Sequence, residues 1–160
     1  MPRSARVCRG GTAGAVRGID SVLVVVDRDS NVMGATQKAC VIARHFAARL
    51  EFFACDDEHA GLPSHDAQLA RSRMETCMAD SRRFLDSVRS AIAADDLTID
   101  VSVACENPLQ HAILRKVHQS RPDLVVRALA RSEDRRRASI LHAYEWQIAR
   151  ACPAPLLFTR

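Results

Sequence analysis

The chain has 160 residues, with 23 basic and 19 acidic side chains and a formal net charge of +4. This length suits a single domain, and with 48% hydrophobic residues the chain can bury a sizeable core. Residues 1–18 contain four arginines and no acid, which leaves 19 of the 23 basic residues to balance the 19 acidic ones. The part from 19 to 160 therefore lacks the overall positive field of a nucleic-acid-binding domain.

The first 18 residues are rich in Gly, Ala and Arg and show no hydrophobic periodicity, which is typical of a disordered extension. At most, we expect this basic arm to bind RNA or another anionic surface weakly, and we expect no other nucleic-acid partner. The arm lacks the apolar core of a signal peptide, and no apolar run approaches the length of about 18 residues that a membrane helix needs. We predict one domain over 19–160, in a cytoplasmic protein that does not enter the membrane.

The cysteines and histidines do not form a metal or catalytic motif. The six cysteines lie at least 15 residues apart, so that no CxxC pair exists, and the histidines have no HExxH spacing. The sequence also lacks the turn motif that exposes a catalytic serine in α/β hydrolases. We therefore expect free thiols, no metal ion and no catalytic residues.

The first half of the chain predicts two strands and two helices. Residues 21–26 form a continuous apolar run before Asp27, and such a run indicates a strand covered on both faces, as in a parallel sheet. A helix over 35–49, a strand over 50–55, a loop over 56–64 and a helix from about 65 to 93 follow. The hydrophobic spacing places Phe46, Met74 and Met78 in the core on these helices.

The second half continues the alternation. Residues 97–103 alternate between apolar and polar, which favours a strand at a sheet edge. Asn107 as N-cap and Pro108 as first helical residue would begin a helix that ends near residue 120. An apolar strand over 123–129, a helix over at least 143–151 anchored on the sheet by Trp146, and a short strand over 156–159 complete the order β-α-β-α-β-α-β-α-β. This order predicts a doubly wound parallel α/β sheet.

From about residue 20 onward the chain resembles a universal stress protein domain. The resemblance rests on the first strand with its terminal Asp27, on Asn107-Pro108 before the third helix, on DLVV at 123–126 and on WQIARACPAPL at 146–156. It implies an adenine nucleotide alpha hydrolase-like fold with five parallel strands in the order 3-2-1-4-5. Asp27 and Arg127 would then close strands 1 and 4, where the winding of the sheet reverses and where such sheets bind ligands.

One family feature is absent. In nucleotide-binding members the phosphates lie on a loop after strand 4 with the pattern Gly-x2-Gly-x9-Gly-Ser/Thr, since glycine lets backbone N–H groups approach them closely. This chain has no glycine after Gly61 and carries mainly charged side chains over 131–137. We therefore expect no ATP cofactor. The closing motif resembles a two-domain branch of the family that also lacks the loop, and this chain would be a single-domain relative of that branch.

Four residues are candidates for ligand binding: Asp27, Arg127, Arg131 and Arg135. Asp27 either contacts a ligand or accepts backbone N–H bonds in the following turn. Arg127 enters a mainly buried strand and needs a carboxylate partner; Asp27 is the nearest, and their salt bridge would fill the adenosine pocket. Arg131 and Arg135 either bind an anion or, as we prefer, belong to a solvated segment.

The resemblance and the missing loop together predict a non-enzymatic stress-response protein that acts through dimerisation and through binding of a partner or a small ligand. Universal stress proteins commonly dimerise through the last strand, and the strand at 156–159 would offer an exposed edge for a homodimer. The alternative is a nucleotide-binding switch in which arginines near 131–137 hold the phosphates without glycines.

Overall fold

The computed structural model describes residues 18–28, 30–56, 66–92, 94–129 and 143–160. Residues 1–17 of the predicted basic arm lie outside the described residues, as do Arg131 and Arg135. The described residues form nine elements in the predicted order: β1 (Ser21–Val26), α1 (Val32–Phe46), β2 (Arg49–Asp56), α2 (Ala67–Ala91), β3 (Ile99–Cys105), α3 (Leu109–Ser120), β4 (Leu124–Ala128), α4 (Ala143–Ala151) and β5 (Leu156–Thr159).

The five strands form one sheet in the order β3-β2-β1-β4-β5, and every neighbouring pair is parallel. This confirms the predicted fold. The apolar run of β1 occupies the centre, buried on both faces, and the alternating β3 lies at an edge, as its pattern indicated. In the register, Val25 of β1 lies opposite Phe53 of β2 and Arg127 of β4.

Two helices cover each face of the sheet, because successive side chains of a strand point to opposite faces. Val22, Val24 and Val26 pack in one core with α1 and α2, on what we call the α1/α2 face. Leu23 and Val25 pack with α3 and α4, on the α3/α4 face. No helix in the described part of the chain is long and apolar enough to cross a bilayer.

Two of the helix starts differ from expectation. The side chain of Asn31 accepts a hydrogen bond from the backbone N–H of Gly34 at 3.2 Å, so α1 begins at Val32 rather than near residue 35. In α3 the first helical residue is Leu109, and Pro108 itself is the N-cap after a cis peptide bond from Asn107. The predicted cap at Asn107 was therefore wrong by one residue.

Four large side chains predicted to be buried on helices are exposed: Phe46 (45%), Met74 (46%), Met78 (36%) and Trp146 (52%). The length of α2 explains the exposure of Met74. Its 25 residues extend about 37 Å at 1.5 Å per residue, while the eight-residue β2 extends about 26 Å. The buried residues of α2 all lie from Cys77 onward, so the stretch that includes Met74 has no sheet to cover. Met78 lies one residue after the buried Cys77 and therefore about 100° around the helix from it.

Candidate functional site

The candidate site lies at the carboxyl ends of β1 and β4, where the strand order changes direction. Arg127 is paired with Val25, and Asp27 lies two residues beyond Val25. Because the side-chain period of a strand is two, all three side chains belong to the α3/α4 face. The sheet thus brings Asp27 and Arg127 together at the crevice in which open α/β sheets bind ligands.

Asp27 and Arg127 form an ion pair, as predicted. Nη2 of Arg127 lies 3.7 Å from Oδ2 of Asp27, with the arginine side chain 1% exposed and the aspartate side chain 26% exposed. This distance allows attraction between the charges but exceeds that of a hydrogen bond. The turn after β1 is closed by the backbone carbonyl of Asp27, which accepts from the N–H and the hydroxyl of Ser30 at 3.1 and 2.8 Å.

Tyr144 on α4 is a third member of the site, which sequence reasoning missed. Nη2 of Arg127 donates to its hydroxyl at 3.3 Å, and the guanidinium carbon lies 5.1 Å from the centre of its ring, within the range of a cation–π contact. Burial raises the pKa of the Tyr144 phenol, and the positive charge of Arg127 opposes that shift. The phenol is therefore neutral at physiological pH and available as a hydrogen-bonding group.

The guanidinium of Arg127 is incompletely satisfied. Its Nε and Nη1 atoms are buried and have no hydrogen-bond partner among the described residues. A guanidinium carries five N–H donors, and buried donors without acceptors are costly. The site therefore contains a buried cation in which two nitrogen atoms have no acceptor among the described residues.

A cavity of about 280 Å³ lies beside this group, and we call it the switch-point cavity. It is lined by the ends of β1 and β2, by the start of α3 from Pro108 to Gln110, and by Arg127 and Tyr144. The expectation that the salt bridge would fill the pocket was wrong. Asp27 and Arg127 form one part of the cavity wall and the start of α3 forms another, and the space between them stays open.

The described residues offer little to a metal ion at this or any other place, since no group of three His, Cys, Asp or Glu side chains in them is arranged to hold one. Arg131 and Arg135, the remaining candidates, lie outside the described ranges. The described site therefore consists of Asp27, Arg127 and Tyr144 around the switch-point cavity.

Comparison with known proteins identifies the class of fold. No family model and no curated protein sequence matches the chain. Among solved structures, the universal stress protein UspA from Lactobacillus plantarum is 19% identical, with a TM-score of 0.70 over 90% of this chain and 99% of that chain. The hypothetical protein MJ0577 is 8% identical, with a TM-score of 0.73 over 89% of this chain and 96% of that one.

A third structure is a universal stress protein in complex with cAMP, which is 16% identical and has a TM-score of 0.54 over 90% of this chain and 98% of that chain. At these identities the likeness concerns the fold. The chain has the fold of these universal stress proteins, and its described residues form five parallel strands and four helices.

Proposed function

We propose that the chain is a universal stress protein-like, non-enzymatic domain that binds a small ligand in the switch-point cavity. The observation that carries this proposal is the buried and incompletely hydrogen-bonded Arg127, which lines an open cavity where the winding of the sheet reverses. A binding site of this kind is mostly apolar with a few polar groups that converge on the ligand. The cAMP complex of a protein with the same fold supports the presence of a small ligand.

The non-enzymatic part of the proposal rests on the cavity lining. No histidine is among the described residues that line the cavity. Cys55, which does line it, donates from its thiol to the backbone carbonyl of Glu106 at 3.5 Å. A neutral phenol and an ion-paired arginine orient a ligand but do not activate a nucleophile. The proposed role is therefore binding in a stress response rather than catalysis.

Dimerisation through β5 is part of the same proposal. Among the described strands β5 pairs only with β4, so its other edge is open at the end of the sheet, and Leu157 on it is 37% exposed. An open strand edge is a template for pairing with a second copy. Sedimentation velocity should show a dimer at micromolar concentration, and a strict monomer would contradict this assembly.

Ligand binding is tested on the full chain with two variants of neighbouring residues on α3. Gln110→Trp places a large ring in the cavity, whereas His111→Trp places the same ring on an exposed position that is not part of the lining. Native mass spectrometry of the gently purified protein should show a retained small molecule in the wild type and in His111→Trp, and none in Gln110→Trp. Retention in all three forms would place the ligand elsewhere, and no retained mass in any form would contradict the proposal.

Calorimetric titration with ATP and magnesium distinguishes the proposed function from the alternative of a nucleotide-binding switch. We expect no saturable binding, because the chain lacks the glycines that would let its backbone approach the phosphates. Saturable micromolar binding that Gln110→Trp abolishes would replace this proposal with the nucleotide-binding switch.

A further inference from the structure

The contacts of the Arg127 guanidinium show which chemistry the site lacks. Of its three nitrogens, Nη2 has the tyrosine hydroxyl at 3.3 Å and the Asp27 carboxylate at 3.7 Å, while Nε and Nη1 have no acceptor in the described part of the chain. The side chain is 1% exposed, so bulk water does not compensate its charge. Buried charges in proteins are normally both paired and hydrogen-bonded. This one is paired at a distance and only partly hydrogen-bonded.

The missing partner is a planar anion or acceptor group. A guanidinium presents its donors in one plane, in a geometry that matches a carboxylate or a phosphate. Asp27 lies within 4 Å of the same guanidinium, so one cation already faces one negative charge. A second carboxylate brings one further negative charge, whereas a phosphate monoester brings about two at neutral pH. The electrostatics therefore favour a singly charged group.

The cavity limits the rest of the ligand. Its volume of about 280 Å³ lies just below the range of roughly 300–1,000 Å³ found for sites of drug-sized ligands. Its wall combines apolar residues such as Val25 and Leu109 with polar groups at Arg127 and Tyr144. Such a space suits a small, partly apolar molecule with one polar end.

From these three observations we infer that the switch-point cavity binds a small monocarboxylate, whose carboxylate accepts hydrogen bonds from the guanidinium of Arg127. The inference rests on the proposed function, because it names the chemical class of ligand for the same cavity. Asp27 then acts as a competing anion that limits the affinity for the ligand, and Tyr144 flanks the bound group.

The test uses benzoate and benzamide, which have the same ring and nearly the same size but differ in charge. Saturation-transfer NMR and calorimetry on the full chain should show benzoate bound at least about tenfold more tightly than benzamide, the ratio that corresponds to one charge-assisted hydrogen bond. Asp27→Asn should tighten benzoate binding by about threefold or more, because it removes a negative charge near the same guanidinium. The same change should leave benzamide binding unchanged.

Asp100→Asn is the matched control, since it removes one carboxylate from an exposed position on the edge strand β3. It should not change the affinity for benzoate. Arg127→Met should abolish the preference for benzoate over benzamide, with circular dichroism to check the fold. Because Asp27→Asn predicts a gain in affinity, the inference stays testable even if Arg127→Met does not fold.

The outcomes separate this inference from the proposed function. Equal binding of benzoate and benzamide, or weaker benzoate binding in Asp27→Asn, overturns the carboxylate inference and leaves the small-ligand proposal in place. Binding of neither probe to the wild type or to Asp27→Asn also overturns the inference. The retained mass in the Gln110→Trp comparison then decides the proposed function by itself.

Discussion

The two faces of the sheet are built differently. The described residues of the α1/α2 face contribute a core of 17 buried hydrophobic residues, whereas those of the α3/α4 face contribute seven. The two buried charged residues of the described chain, Arg127 and Glu145, both belong to the side with the smaller core. The switch-point cavity is lined largely by that same side.

This difference suggests a division between stability and binding. Burial of apolar surface is the main favourable term in folding, and among the described residues the α1/α2 face contributes the larger buried core. A buried guanidinium opposes folding unless its donors are met. The α3/α4 face can hold such a group, and a cavity beside it, because the opposite face stabilises the sheet that both share.

The largest expected effect concerns two neighbouring valines on β1. Val24 is 0% exposed and points to the α1/α2 face, whereas Val25 is 3% exposed and borders the cavity. Val24→Ala should lower the free energy of unfolding by about 2–3 kcal/mol, from lost burial plus a new void. Val25→Ala should cost only about 1 kcal/mol, because the neighbouring cavity lets the surrounding side chains relax into the space that the mutation vacates. Urea denaturation measures both, and equal losses at equal m-values would contradict the difference between the faces.

Smaller changes in the free energy of unfolding are expected for the two members of the ion pair, and urea denaturation should show them with opposite signs. Arg127→Met should leave the free energy of unfolding unchanged or raise it by about 1 kcal/mol, since a buried pair often stabilises less than a well-packed apolar side chain. Asp27→Asn should lower it by about 1–2 kcal/mol, because the buried guanidinium then lacks an opposing charge.

The double variant completes this cycle. In the Arg127→Met background, Asp27→Asn should cost nearly nothing, because the charge that it leaves uncompensated is gone. If the cost of Asp27→Asn were the same in both backgrounds, the ion pair would not be the reason for it. Apolar packing would then stabilise the α3/α4 face, as it does the α1/α2 face, without a contribution from the ion pair.

The strands were predictable from sequence because their signal is redundant. A strand such as Ser21–Val26, buried on both faces, must be apolar throughout, so a shift of one residue does not change the interpretation. The edge strand β3 shows its position through alternation. The sheet order came from the family resemblance. It predicted that Asp27 and Arg127, which are 100 positions apart in the sequence, lie side by side in the fold.

The helices were harder because an error of one residue, about 100° around the helix, changes which residues are buried. In the nine-residue α4 the buried positions are Glu145 and Ile148, and Trp146 lies about 100° around the helix from Glu145. A rule that buries the largest apolar side chain therefore chose the wrong face. Tyr144 was missed for the same reason, since its role depends on the phase of α4 and on its contact with a strand distant in sequence. The cavity depends on the spacing between β1 and α3, which no local pattern specifies.

The smallest expected effect concerns the ionisation of Tyr144, the single tyrosine of the chain. Burial raises its pKa, the charge of Arg127 opposes the rise, and the charges of Glu145 and Asp27 add to it. Near-ultraviolet absorbance should therefore show the phenol of the folded protein titrating above the usual value of about 10, which the chain in denaturant should show. Because the raised pKa belongs to the folded state, its contribution to stability is complete below pH 10 and is lost as pH rises through the folded pKa.

Asp27→Asn should lower the titration midpoint of Tyr144, and Arg127→Met should raise it. Shifts in the same direction in both variants would mean that Tyr144 does not lie between these charges, and the binding side of the sheet would need a different description.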